Sequence, residues 1–206
     1  EQTDRTFLEI EEIHKIQHLK LRARNPLYDA REVFLFECYT GIRISDILTL
    51  KWKHITDEKI SIRMRKTEKL LSIPINDYVR AVLDRRRCAV ENNGGKITSE
   101  KYVFNILKVD VDEVSAQDAL NAISSATAVI NKQLKKIAKK TGIDKNLSTH
   151  CARHSYATAL LTNNIPLPVI KEMLGHSDIK VTQIYAKVVD SKRNEVVECL
   201  NKVYHG

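Results

Sequence analysis

Little in this sequence interrupts a helix or crosslinks a chain. Six glycines and four prolines among 206 residues are too few for an extended disordered or low-complexity chain. The four cysteines, Cys38, Cys88, Cys151 and Cys199, stand far apart. None forms the close pair of a zinc knuckle or a redox motif, and the set fits a reduced, intracellular protein. No run approaches the ~20 apolar residues of a membrane-spanning helix, and the opening Glu1–Arg5 is too polar for a signal peptide, so a cytoplasmic location is expected. A helical pattern begins almost at once, the expectation for a domain cut from a longer protein whose upstream part is missing.

What is present describes a globular domain. Hydrophobic residues make up 43% and charged residues 29%, and the length suits one folded unit over residues 1–206. Lysine and arginine number 34 against 26 aspartates and glutamates, a formal net charge of +8 that attracts polyanions such as nucleic acids. Charge alone does not establish such a partner. Part of it gathers in one place, at Lys132, Lys135, Lys136, Lys139 and Lys140.

The patterning predicts a mainly α fold with one small antiparallel β-sheet. Thr6 is placed to cap a first helix with an acidic first turn, and a second helix is expected from Asn25-Pro26 to Thr40, where Gly41 supplies the stop. A short helix follows over 45–50. Residues 59–65 and 70–75 alternate apolar with polar side chains and read as two strands, with 66–69 as their hairpin turn. Asn76 caps the next helix, which ends by 92–95. Further helices are expected over 117–140, closed by Gly142, over 149–162, after Pro166 to Leu174, around Tyr185, and over 193–204, the last in a tail spanning 191–206.

The densest polar signal is Ser148-Thr149-His150-Cys151-Ala152-Arg153-His154. His150 and Arg153 are three apart and share a helix face. A zinc site from His150, Cys151 and His154 lacks further ligands nearby and would need Cys151 to point off its own face. Three other segments stand beside this one. Thr40-Gly41-Ile42-Arg43-Ile44-Ser45-Asp46 puts an arginine just after a helix-ending glycine, Lys66-Thr67 sits at a hairpin tip, and Leu174-Gly175-His176-Ser177 precedes Thr182-Gln183-Ile184-Tyr185-Ala186. Taken singly, Arg43 is a helix-end binder, Lys66 a solvated turn residue, His176 a cap and Tyr185 a packing residue. Their joint order resembles the tyrosine recombinase family, the integrases of mobile elements, whose signature runs Arg, Lys, His-x-x-Arg, His or Trp, then Tyr.

The resemblance covers nearly the whole chain and implies a catalytic set of Arg43, Lys66, His150, Arg153, His176 and Tyr185. Asp46 falls where many members carry a supporting glutamate, a mild departure. It also implies an upstream DNA-clamping domain, assembly to a tetramer on paired DNA sites with a monomer in free solution, and neither metal nor other cofactor. In chemical terms, two guanidiniums suit the charge that builds on a phosphate under attack. A phenol with an ordinary pKa near ~10 needs a proton acceptor, for which the resemblance offers His150. Lys66 would protonate the departing 5′-oxygen, and His176 would hydrogen-bond the phosphate. Lys132, Lys135, Lys136 and Lys139 are candidate DNA contacts or simply a solvated helix face. The alternatives are a type IB topoisomerase, which shares the chemistry, and an inactive DNA-binding accessory protein.

Overall fold

The structure, a computed structural model, describes residues 6–23 and 25–176. Tyr185 and the expected helix over 193–204 lie outside the described residues. The chain divides into two compact units, one ending at Tyr156 and the other beginning at Ala157.

In the first unit, helix α1 spans Ile10–Gln17, α2 Tyr28–Thr40, α3 Ile44–Leu48, α4 Asp77–Glu91 and α5 Ala116–Thr141, and α6 begins at Thr149. Strands β1 (Lys59–Arg63) and β2 (Leu70–Pro74) pair antiparallel with Ile60 opposite Ile73 and Ile62 opposite Leu71. These four side chains are buried while Lys59, Arg63, Leu70 and Ser72 on the same strands are exposed, so the alternation sets one face against the core. The mainly α architecture with one small sheet is as the patterning predicts.

Helix α2 is the hub, packed against α1, α3, α4 and α5. Eleven of its thirteen residues are buried, as expected of a helix enclosed on every side rather than amphipathic. Phe36 meets Phe104 edge to face at 5.2 Å between centroids. The helix stops where Gly41 turns left-handed at φ 66°, its N–H donating to the Glu37 carbonyl at 2.8 Å. Gly142 ends α5 in the same way. Asn76 and Ser115 cap α4 and α5 by accepting from the Val79 and Asp118 amides.

Several expected boundaries move. Thr6 does not start α1; Glu9 does, in a reciprocal capping box with Glu12. The intervening Leu8 N–H instead donates to Ser155 Oγ at 2.8 Å, a partner 147 residues away. Asn25 forms a turn, its side chain accepting from the Leu27 amide, so α2 begins at Tyr28. Helix α3 is shorter than expected because the Leu50 carbonyl is drawn into a bond from Val103 N–H at 2.8 Å. The strands end before Met64 and Ile75, and the hairpin reverses with Glu68 at φ 55°.

Residues 92–115 follow no regular pattern and strap across the unit. Lys51, 5% exposed, holds this strap through Asp112 at 2.8 Å and Asp110 at 3.2 Å. Tyr102 donates its hydroxyl to the same Asp110 at 2.7 Å. In the second unit, α6 runs on to Thr162 and α7 spans Leu167–Met173, with Pro166 as its N-cap. No helix among the described residues is long and apolar enough to cross a membrane.

Candidate active site

Arg43 occupies the N-cap position of α3, with extended backbone, directly after the end of α2. Its guanidinium donates to Met64 Sδ at 3.3 Å. One turn on, Asp46 is 4% exposed and its Oδ1 accepts from the Arg65 amide at 2.9 Å, which ties the turn of the β-hairpin to α3. Asp46 Oδ2 is buried without a hydrogen-bond partner. Burial pushes this carboxyl above its ordinary range, while the Arg65 amide and the charges of Arg43, Arg153 and Arg65 pull it back. Burial likewise lowers the Arg43 guanidinium, opposed by Asp46.

Arg153 enters from α6. Its Nη1 donates to the Gly41 carbonyl, a group left over where α2 terminates and one that favours a cation through the helix dipole. Arg43 thus leaves the backbone just past the end of α2 and Arg153 rests on that end, with Asp46 within electrostatic reach of both. Lys66 is exposed at the hairpin tip, next to Arg65. His150 is exposed on the first turn of α6, three residues before Arg153. It lines a cavity of about 370 Å³ with Thr6, Asn146, Ser148, Cys151 and His154. A larger cavity, about 540 Å³, lies against Tyr28, Trp52, Arg86 and Tyr102 and touches none of the candidate residues.

Arg43, Asp46 and Arg153 are thus brought together, with the Lys66 hairpin fastened to the group and His150 one turn from Arg153. His176 lies in the second unit, its N–H bonded to the Lys171 carbonyl at 3.0 Å. Cys151 is buried and its thiol is pushed up to about 11 by that burial, so it remains protonated packing beside His150. Among the described residues no three His, Cys, Asp or Glu side chains gather where they could hold a metal ion. Lys132, Lys135, Lys136 and Lys139 form an exposed stripe on α5, opposite the buried Ile130, Leu134 and Ile137.

Sequence reasoning passed over Glu37. It is fully buried on α2, has an unpartnered Oε2, and feels the charge of Arg153. The signal available was a carboxylate inside the apolar run Phe34-Leu35-Phe36-Glu37-Cys38.

The family model described as the phage integrase family matches residues 6–192. The chain belongs to that family. Within it, tyrosine recombinase XerD of Listeria monocytogenes is 48% identical over 160 residues, 76% of this chain and 49% of that protein. XerD of Staphylococcus haemolyticus is 29% identical over 185 residues, 88% of this chain and 57% of that one. This member of the family spans about half the length of these curated relatives. Its fold is similar to a crystal structure of XerA recombinase, with TM-score 0.66 and 24% identity over 93% of this chain and 63% of that one. The catalytic domain of bacteriophage HP1 integrase matches with TM-score 0.59 and 23% identity over 95% of each. These two likenesses show that the fold is that of tyrosine recombinase catalytic domains.

Proposed function

We propose that this integrase-family chain carries the strand-cleaving centre of a site-specific DNA recombinase, with Tyr185 as nucleophile. The observation that supports this most is that Arg43 and Arg153 both act on the buried Asp46, which also holds the hairpin bearing Lys66. Two guanidiniums in a half-buried bay present forked donors to the non-bridging oxygens of one phosphate. The Tyr185 oxygen attacks phosphorus, its proton passes to His150, and the bond to the 5′-oxygen breaks as Lys66 supplies a proton. His176 adds a hydrogen bond to the phosphate. The product is a 3′-phosphotyrosine and a 5′-hydroxyl, and reversal of the step reseals the strand from the energy kept in that bond, with neither ATP nor a metal required.

The partner is double-stranded DNA, held in part by backbone contacts from Lys132, Lys135, Lys136 and Lys139, and two paired sites are bridged by a tetramer assembled from protomers that are monomeric in solution. Relatives support the DNA partner: XerH is described as bound to its difH substrate in a post-cleavage complex.

The test begins by selecting bound duplexes from a randomised pool and nicking the selected site so that the short 5′-hydroxyl strand diffuses away. The unaltered protein is expected to accumulate a covalent adduct, and Tyr185→Phe to bind the duplex without forming one. Full adduct yield in Tyr185→Phe refutes the assignment. Two differently marked duplexes then separate recombination from topoisomerase-like relaxation, because only a recombinase yields exchanged strands.

A further inference from the structure

Helix α2 carries two buried glutamates, and only one has its charge answered by ion pairs. Glu32 lies between Arg31 and Arg85 at 2.7 and 2.9 Å. Glu37 is 2% exposed and its Oε2 has no hydrogen-bond partner. Among the described residues the one charge that bears on it is Arg153. The two are linked through the backbone as well: the Gly41 carbonyl takes the Arg153 Nη1 bond, and the Gly41 N–H donates to the carbonyl of Glu37. Glu37 is therefore one turn behind the helix end on which the guanidinium rests. A buried carboxyl left unpartnered is costly, and such costs persist where a group serves something other than stability.

We propose that Glu37 is a positioning residue for Arg153: as a carboxylate it fixes the guanidinium at the end of α2, and as a neutral acid it releases that restraint. The proposal rests on the phosphate-binding role given to Arg153 above. Burial holds the Glu37 carboxyl well above its ordinary value, and Arg153 opposes this, so the switch between the two forms lies on the alkaline side of ordinary carboxylates. The other groups nearby do not compete for the role. Cys38, the neighbour on α2, is pushed far up by burial and stays a thiol, as does Cys151 on α6. Asp46 of α3 acts on Arg153 but is not among the groups that bear on Glu37, and no charged group of α1, α4 or α5 bears on Glu37.

The deciding experiment uses DNA-free protein. The Nε–Hε resonance of Arg153, assigned by its loss in Arg153→Lys, is followed against pH by NMR in the unaltered chain and in Glu37→Gln. The expected result is a titration step in the unaltered chain that vanishes in Glu37→Gln, whose side chain has the same shape and no charge to gain. A resonance without a step, or a step that survives the substitution, overturns the proposal. On the nicked duplex, Glu37→Gln should cleave about tenfold more slowly at the alkaline plateau, the scale of one charge-assisted hydrogen bond, and match the unaltered protein at the acid end. Unchanged cleavage at every pH overturns the proposal. Should the unaltered protein form no adduct at all, the recombinase reading fails, while the NMR titration still decides the role of Glu37.

Discussion

Along one helix, Glu32 and Glu37 meet opposite surroundings. On the flank of α2 facing α4, Glu32 is clasped by Arg31 and Arg85, Arg86 pairs with Asp29 at 2.5 Å and lies over the Tyr28 and Phe104 rings, and Lys51 is held by Asp110 and Asp112. Near the C-terminal end of that helix, Glu37 and the α3 residue Asp46 each keep an oxygen without a hydrogen-bond partner, although Arg153 bears on both. The first region spends its cations on its own carboxylates. In the second, the described bonds of the guanidiniums include Met64 Sδ and the Gly41 carbonyl. The closed charge networks of the first region hold the fold, and the second holds the arginines proposed above to bind phosphate.

Substitutions in the two regions should have different consequences. The largest effect is expected from Glu32→Ala, which strands Arg31 in the interior and should cost about 3–5 kcal/mol of stability, with cleavage per folded molecule unchanged. Denaturant unfolding beside single-turnover cleavage measures both, and a stability close to that of the parent would remove the clasp from the account. Next, Arg43→Ala and Arg153→Ala should each slow cleavage by on the order of 10²-fold or more, the scale of losing one preorganised donor. Near-normal cleavage in either would put that residue outside the site.

A third comparison uses pH. The folded protein holds the Glu37 proton more tightly than the unfolded chain, so this group's contribution to stability is complete below its ordinary value of 4.5 and is lost as pH rises through the raised folded value. Glu37→Gln should flatten that part of the stability curve, and melting temperatures across pH that run parallel to the parent would count against a buried, titrating Glu37. The smallest effect belongs to Lys53→Ala, which breaks an exposed pair with Glu100 at 2.7 Å and should leave the unfolding midpoint unmoved. A clear fall would show that surface pairs also brace this flank.

Local chemistry is what the sequence displayed well. Gly41, Asn76 and Gly142 announce helix ends because left-handed turns and side-chain caps are decided within a few residues, and Lys66 is legible at its hairpin tip for the same reason. Leu8 was drawn into a helix that it does not join, since its amide answers to Ser155 at the far end of the unit. The strap over 92–115 had no readable pattern, because its order comes from Lys51, a residue from another part of the chain. Arg43, Asp46 and Arg153 could be picked out through the resemblance to the recombinase signature, whereas Glu37 became visible only once burial and the Gly41 carbonyl showed what stands behind Arg153.

If strand cleavage leaves DNA on Tyr185, peptide mapping of the trapped adduct finds it there. After nuclease trimming and trypsin, the nucleotide should appear on the peptide running from Val181 to Lys187, attached through its 3′-phosphate to Tyr185. A nucleotide on any other tyrosine, on a serine or histidine, or joined through a 5′-phosphate would contradict it.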